Sequence, residues 1–154
     1  MIIKFLIEYT DNLEQKTLIY NSKDCSFGTE PSVQEINFDI VLNRLNLTAI
    51  DIDNKINQLW GMPGYNKWIK FNDDVPVSHP GILKVIDNLE YGLAYKVNKD
   101  DLPVYVNPQT GWICIGNPKN KGKTVEFINN CIAVINNDNE LISLWLRPKI
   151  LPDI

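Results

Sequence analysis

The chain has one histidine in 154 residues: His79, between Ser78 and Pro80. Imidazole is the usual acid–base group near neutral pH, so its scarcity argues against most hydrolytic, nucleophilic and metal-dependent mechanisms. A small enzyme could still pair His79 with Asp73 and Asp74 as an acid–base group. Ser78 does not complete a triad, because adjacent side chains on an extended chain point apart. Asp51 with Asp53, or Asp100 with Asp101, could supply two carboxylates for glycoside chemistry. That chemistry needs an apolar pocket to raise one carboxyl pKa. Nothing local to these pairs points to such a pocket, and they suit solvated turns. Cys25, Cys114 and Cys131 are too few and too widely spaced for a structural zinc site. Cys114 and Cys131 lie in apolar runs and are expected to be small buried hydrophobes. No metal and no cofactor is expected, and three unpaired thiols fit a reducing compartment.

The stretch Gly116-Asn117-Pro118-Lys119-Asn120-Lys121-Gly122-Lys123-Thr124 resembles a phosphate-binding P-loop in its Gly-Lys-Thr ending. Five residues separate the glycines where that motif has four. Pro118 also removes an amide donor that such a loop would use. The stretch therefore reads as a solvated, lysine-bearing turn.

Two other groups could do binding work. Trp60, Tyr65 and Trp68 flank a Gly-Met-Pro-Gly breaker and could stack on a sugar ring or anchor a protein partner. Trp60 and Trp68 could equally end strands and plug the core, as Trp112 and Trp145 are expected to do. The acidic pairs Asp73-Asp74, Asp100-Asp101, Asp51 with Asp53, and Asp87 with Glu90 would form a negative patch if the fold brought two or more of them together.

These residues must be carried by short β-branched or alternating runs punctuated by turn residues. Residues 2–9 read as a strand, with 16–20 returning after a turn at 10–12. Ile36, Phe38, Ile40 and Leu42 alternate with polar or smaller residues, and Asn43-Arg44 turns that strand into 45–52. Residues 72–81 read as irregular, and 82–89 as one or two helical turns. Pro108-Gln109-Thr110-Gly111 joins two strands in the clearest hairpin. Residues 125–135 place six apolar side chains on one side of a helical wheel, but doubled asparagines suit turns better than a helix interior. The expected fold is mainly β: one domain over 1–154, an antiparallel sheet, sandwich or partly open barrel built from hairpins, with minor helix. The alternative is an α+β fold with a helix at about 124–136.

The formal charge is −4 and the pI about 4.9, a balance that disfavours nucleic-acid or anionic-membrane binding. Lys4 and Glu8 break the apolar N-terminus, which lacks the run of a secretory signal or a membrane span. A cytoplasmic protein is expected. In size, acidity and texture, including the run Val125–Pro148 that ends Ile142-Ser143-Leu144-Trp145-Leu146-Arg147-Pro148, the chain resembles bacterial immunity proteins. These include the family that neutralises contact-dependent growth-inhibition toxins and other polymorphic toxins. The resemblance implies a non-enzymatic inhibitor that binds a cognate basic toxin domain, often a nuclease. On physical grounds the contact would use Asp73, Asp74, Asp100 and Asp101 against toxin Lys/Arg, with Tyr65 and Trp68 as aromatic anchors. The competing readings are a carbohydrate-binding module using Trp60, Tyr65 and Trp68, and a small enzyme using His79 and aspartates.

Overall fold

The computed structural model describes residues 2–21, 23–32, 36–50, 53–62 and 68–149. Fourteen strands account for the regular structure, and no helix occurs among the described residues. The strands are β1 (Phe5–Tyr9), β2 (Thr17–Asn21), β3 (Ser26–Glu30), β4 (Phe38–Leu42), β5 (Leu45–Ile50), β6 (Lys55–Gly61), β7 (Ile69–Lys70), β8 (His79–Val85), β9 (Ala94–Lys96), β10 (Val104–Val106), β11 (Ile113–Gly116), β12 (Lys123–Ile128), β13 (Cys131–Ile135) and β14 (Leu141–Leu146). They form one curled sheet, in the order β7-β10-β11-β14-β13-β12-β8-β6-β5-β4-β9. In addition, β1 pairs with β8, and the β2–β3 hairpin attaches through β3 to β6.

The fold is mainly β, as expected, but the sheet is mixed. Three pairings are parallel: β7 with β10, β8 with β12, and β4 with β9. The minor helix is absent at both places where the sequence allowed one. Residues 82–89 were expected to make helical turns, yet β8 runs through them as far as Val85. It buries Gly81, Leu83 and Val85 with the period of a strand and pairs with β1, β6 and β12. A helix there would strip backbone partners from three neighbours. The helix at about 124–136 is replaced by the β12–β13 hairpin. Its two-residue turn is Asn129-Asn130, with Asn130 at φ 62°. The apolar side chains that a wheel gathers on one side divide between two faces. Cys131, Ala133 and Ile135 enter the main core, and Ile132 and Val134 enter a second cluster. A strand buried on both faces has no polar side to show, so its apolar run mimics a helical stripe.

The hairpin expected between residues 2–9 and 16–20 does not form. β1 lies antiparallel to β8, with Phe5 opposite Val85, and β2 pairs with β3. The β4–β5 hairpin forms as expected, on Asn43 (φ 49°) and Arg44 (φ 64°). Two successive positive φ angles match the right-handed twist of paired strands.

Asn43 has a second task. Its Nδ2 donates to the Leu102 carbonyl at 2.7 Å, and its Oδ1 accepts from Leu102 N at 2.9 Å and Asn98 Nδ2 at 2.8 Å. This clamps the 98–102 segment to the hairpin. Asn43→Gly keeps the turn and removes all three bonds. An unfolding free energy lower by about 2–3 kcal/mol is expected in urea titration. A loss below about 0.5 kcal/mol would show that the clamp carries no stability.

The main core runs through both halves of the sheet and includes Phe5, Phe38, Leu47, Leu83, Phe127 and Leu144. Each such side chain contributes roughly 1.5–3 kcal/mol on burial. The second cluster lies on the other face of the β11–β14–β13 region: Cys114, Ile132, Val134 and Trp145, with Phe71 and Val75 packed against them. Phe71 and Val75 belong to the segment Phe71–Ser78, which has no strand of its own. Three bonds tie this strap down: Phe71 N donates to the Val106 carbonyl (3.0 Å), Asn107 Nδ2 to the Asp73 carbonyl (3.4 Å), and Thr124 Oγ1 to the Val77 carbonyl (2.8 Å). Asp73 and Asp74 sit on it.

Candidate functional site

β6 lies between β5 and β3, and its phase decides which side chains leave the core. Leu59 is buried in the main core, so Trp60 emerges on the opposite face and is 46% exposed. Its ring is nevertheless held. Trp60 Nε1 donates to Thr48 Oγ1 at 3.0 Å, and the wholly buried Thr48 hydroxyl donates to Asp39 Oδ1 at 2.5 Å. The cross-strand partner of Trp60 on β3 is Gly28, where an added Cβ would meet nothing within 4 Å. The indole therefore stands beside an open floor, in an orientation set by its relay. Two residues along the chain, Met62 is also exposed. Arg44 Nε donates to the Met62 carbonyl at 3.4 Å, and Arg44 Nη1 pairs with Asp101 Oδ2 at 3.1 Å. The result is a fixed indole beside an exposed ion pair, with the exposed Met62 two residues along the chain. Such a surface loses little side-chain entropy when something docks on it.

The structure separates the residues expected to bind a partner. Asp100 and Asp101 lie just before β10, and Asp101 belongs to the Trp60 surface through Arg44. Asp73 lies beyond the other end of β10, where its carbonyl accepts from Asn107 Nδ2 at 3.4 Å. The two acidic pairs thus flank opposite ends of one strand and do not form a single patch. Trp68 is half-buried, packs on the main core and stacks on Phe27 at 6.2 Å and 22°. Tyr65 lies outside the described residues. Trp60 is the tryptophan that faces solvent, and its phase relative to Leu59 was the available signal.

Asp74 helps to form a cleft of about 360 Å³, lined also by Pro76, Pro118, Lys121, Thr124, Val134 and Trp145. The P-loop-like stretch supplies part of this wall, but its hydroxyl is engaged, since Thr124 Oγ1 tethers the strap. Asn117 organises the turn by accepting from Lys119 N at 2.9 Å. His79 is exposed at the start of β8, and its ring meets Tyr9 edge-on at 6.2 Å. Asp53 lies near Lys84 at 3.7 Å, and Asp51 is outside the described residues. Among the described residues, no three His, Cys, Asp or Glu side chains converge as a metal site would require. No helix among them is long and apolar enough to cross a membrane.

The thiols are free. Burial, helped by the charge of Asp73, pushes the Cys114 thiol up to about 12. Burial, helped by Glu126, also pushes Cys131 well above its ordinary value. Lys84 is raised too, chiefly by its hydrogen bond to Glu8. A folded pKa raised above the unfolded one contributes stability at low pH and loses it as pH climbs. The unfolded thiols ionise from about pH 9 while the native ones stay protonated. Stability is therefore expected to fall above pH 9 by about 1.4 kcal/mol per pH unit per thiol, with Lys84 adding to the fall above its ordinary value of 10.5. Urea titrations at pH 7.5 and 10 check this. A slope unchanged in the Cys114→Ala variant would rule out that thiol as a source.

Compared with known proteins, the chain matches no family model, and no curated protein shows significant similarity to it.

Proposed function

We propose that the chain is a non-enzymatic binding protein of the cytoplasm, an immunity protein that binds and neutralises a cognate basic toxin domain such as a nuclease. One observation carries the reading: Trp60 is exposed, yet locked by Thr48 and Asp39, beside Met62 and the Arg44–Asp101 pair. Interface hot spots favour tryptophan and arginine in such settings. The net charge of −4 suits a basic partner, because complementary fields speed association and select among partners. In this reading Asp101, through its pair with Arg44, and its neighbour Asp100 contribute at this surface, and Asp73 and Asp74 act separately on the strap.

The direct test searches the gene immediately upstream for a secreted protein with a basic C-terminal domain and co-expresses that domain with the chain. Growth rescue together with co-purification supports the reading, and loss of both sinks it. Within such a complex, Asp100→Lys with Asp101→Lys is expected to slow association and flatten its salt dependence. Unchanged kinetics would remove these aspartates from the contact.

The same geometry supports a second reading as a carbohydrate-binding module. An indole beside a side-chain-free strand position can accept a sugar face, with Asn46 next to it. A tryptophan fluorescence shift on adding oligosaccharides, lost in Trp60→Ala, would favour it over the toxin reading.

A further inference from the structure

Lys16, Arg147 and Lys149 share one groove of about 540 Å³, whose wall also includes Asn129 and Asn130. Three contacts hold its sides in place. Lys149 N donates to the Leu18 carbonyl and Arg147 N to the Asn130 carbonyl, both at 2.9 Å. Lys16 N donates to Asn129 Oδ1 at 2.9 Å. The groove is thus a built junction between the start of β2, the β12–β13 turn and the segment after β14.

Its charge is unusual for this chain. Acidic residues outnumber Lys and Arg by 19 to 15, so a cation has ample partners. The ion pairs among the described residues nonetheless use Arg44, Lys55 and Lys84. Lys16 is only 8% exposed, and its ammonium donates to the Pro31 carbonyl at 2.7 Å, which leaves two N–H groups for another acceptor. Of the nearby carboxylates, Glu14 pairs with Lys55 at 2.6 Å, Glu126 accepts from Asn130 N at 2.8 Å, and Glu30 lies across from Thr17 on β3; among the described residues none of them forms an ion pair with Lys16, Arg147 or Lys149. Three cationic residues that line one groove and form no ion pair among the described residues repel one another, and an anion relieves that repulsion.

We propose that this groove is an oxyanion site for a small phosphate-bearing ligand of nucleotide size. The Arg147 guanidinium grips two phosphate oxygens side by side. Lys16 and Lys149 add charge, and the Asn129 carboxamide nitrogen adds a donor. A lone phosphate would underfill the space, whereas a phosphate ester matches the usual range of small-molecule sites. The inference does not rest on the toxin reading or on the Trp60 surface.

Isothermal titration of the full chain with pyrophosphate and with adenosine 5′-monophosphate tests it. Saturable binding is expected, weakened about tenfold or more by Arg147→Gln or by Lys149→Gln. Lys119→Gln makes the same charge change outside the groove and is expected to alter affinity less than twofold. Amide shifts on binding should centre on residues 16–18, 129–130 and 147–149. Tighter binding of the monophosphate assigns the ligand to the ester class, and equal binding assigns recognition to the phosphate group alone. No saturable binding, or equal weakening by Lys119→Gln, overturns the proposal.

Discussion

Trp145→Ala is expected to lower the unfolding free energy by about 3–5 kcal/mol. Trp145 sits on β14 between Cys114 of β11 and Ile132 of β13. It is 1% exposed, and its ring meets Phe71 at 5.8 Å. Removing it takes the largest side chain out of the second cluster and leaves the strap above a void. Fixed strands form the floor, so only the strap can relax into the gap. Domains of this kind have roughly 5–15 kcal/mol to lose, so the variant is expected to be marginal at 37 °C. Urea unfolding at 25 °C measures the change. A loss below about 1 kcal/mol would show that Phe71–Ser78 collapses fully onto the sheet.

Trp60→Ala is expected to weaken partner binding about thirtyfold or more, equivalent to about 2 kcal/mol, while leaving the fold intact. The fold should survive because the side chain faces solvent and Thr48 keeps its bond to Asp39. Trp60→Phe separates two contributions. It keeps an aromatic face and loses the N–H that fixes the ring, so an intermediate affinity is expected. Surface plasmon resonance against the proposed cognate partner reads both variants. Wild-type affinity in Trp60→Ala would remove this surface from the contact and with it the main support for the proposed function.

Much of the strand layout was legible because it is local. Asn43-Arg44 and Asn129-Asn130 are turn chemistry between β-branched or apolar runs, and both became hairpins. Residues 107–111 did the same for β10 and β11. There Asn107 Oδ1 accepts from Gln109 N at 3.0 Å and Gly111 adopts φ 85°. The partners of β1, β8 and β9 were not legible. Backbone hydrogen bonds between distant strands leave no mark on side-chain identity, so the pairing of β1 with β8 and the three parallel pairings had no local signature. The helical reading of 82–89 failed for the same reason. The neighbours that make it a strand come from elsewhere in the chain.

For the candidate site, side-chain type drew attention to tryptophans, aspartates and an acidic balance. It also marked Cys114 and Cys131 as buried thiols, which they are. Those features follow from composition and short-range pattern, which every residue carries with it. Tertiary structure alone decided which tryptophan stacks on Phe27 and which meets solvent, and that the two acidic pairs part at opposite ends of β10. It alone gathered Lys16, Arg147 and Lys149 into one groove from places more than a hundred residues apart. The physical reason is that exposure and convergence depend on strand order and phase, and these are set by the packing of the whole sheet.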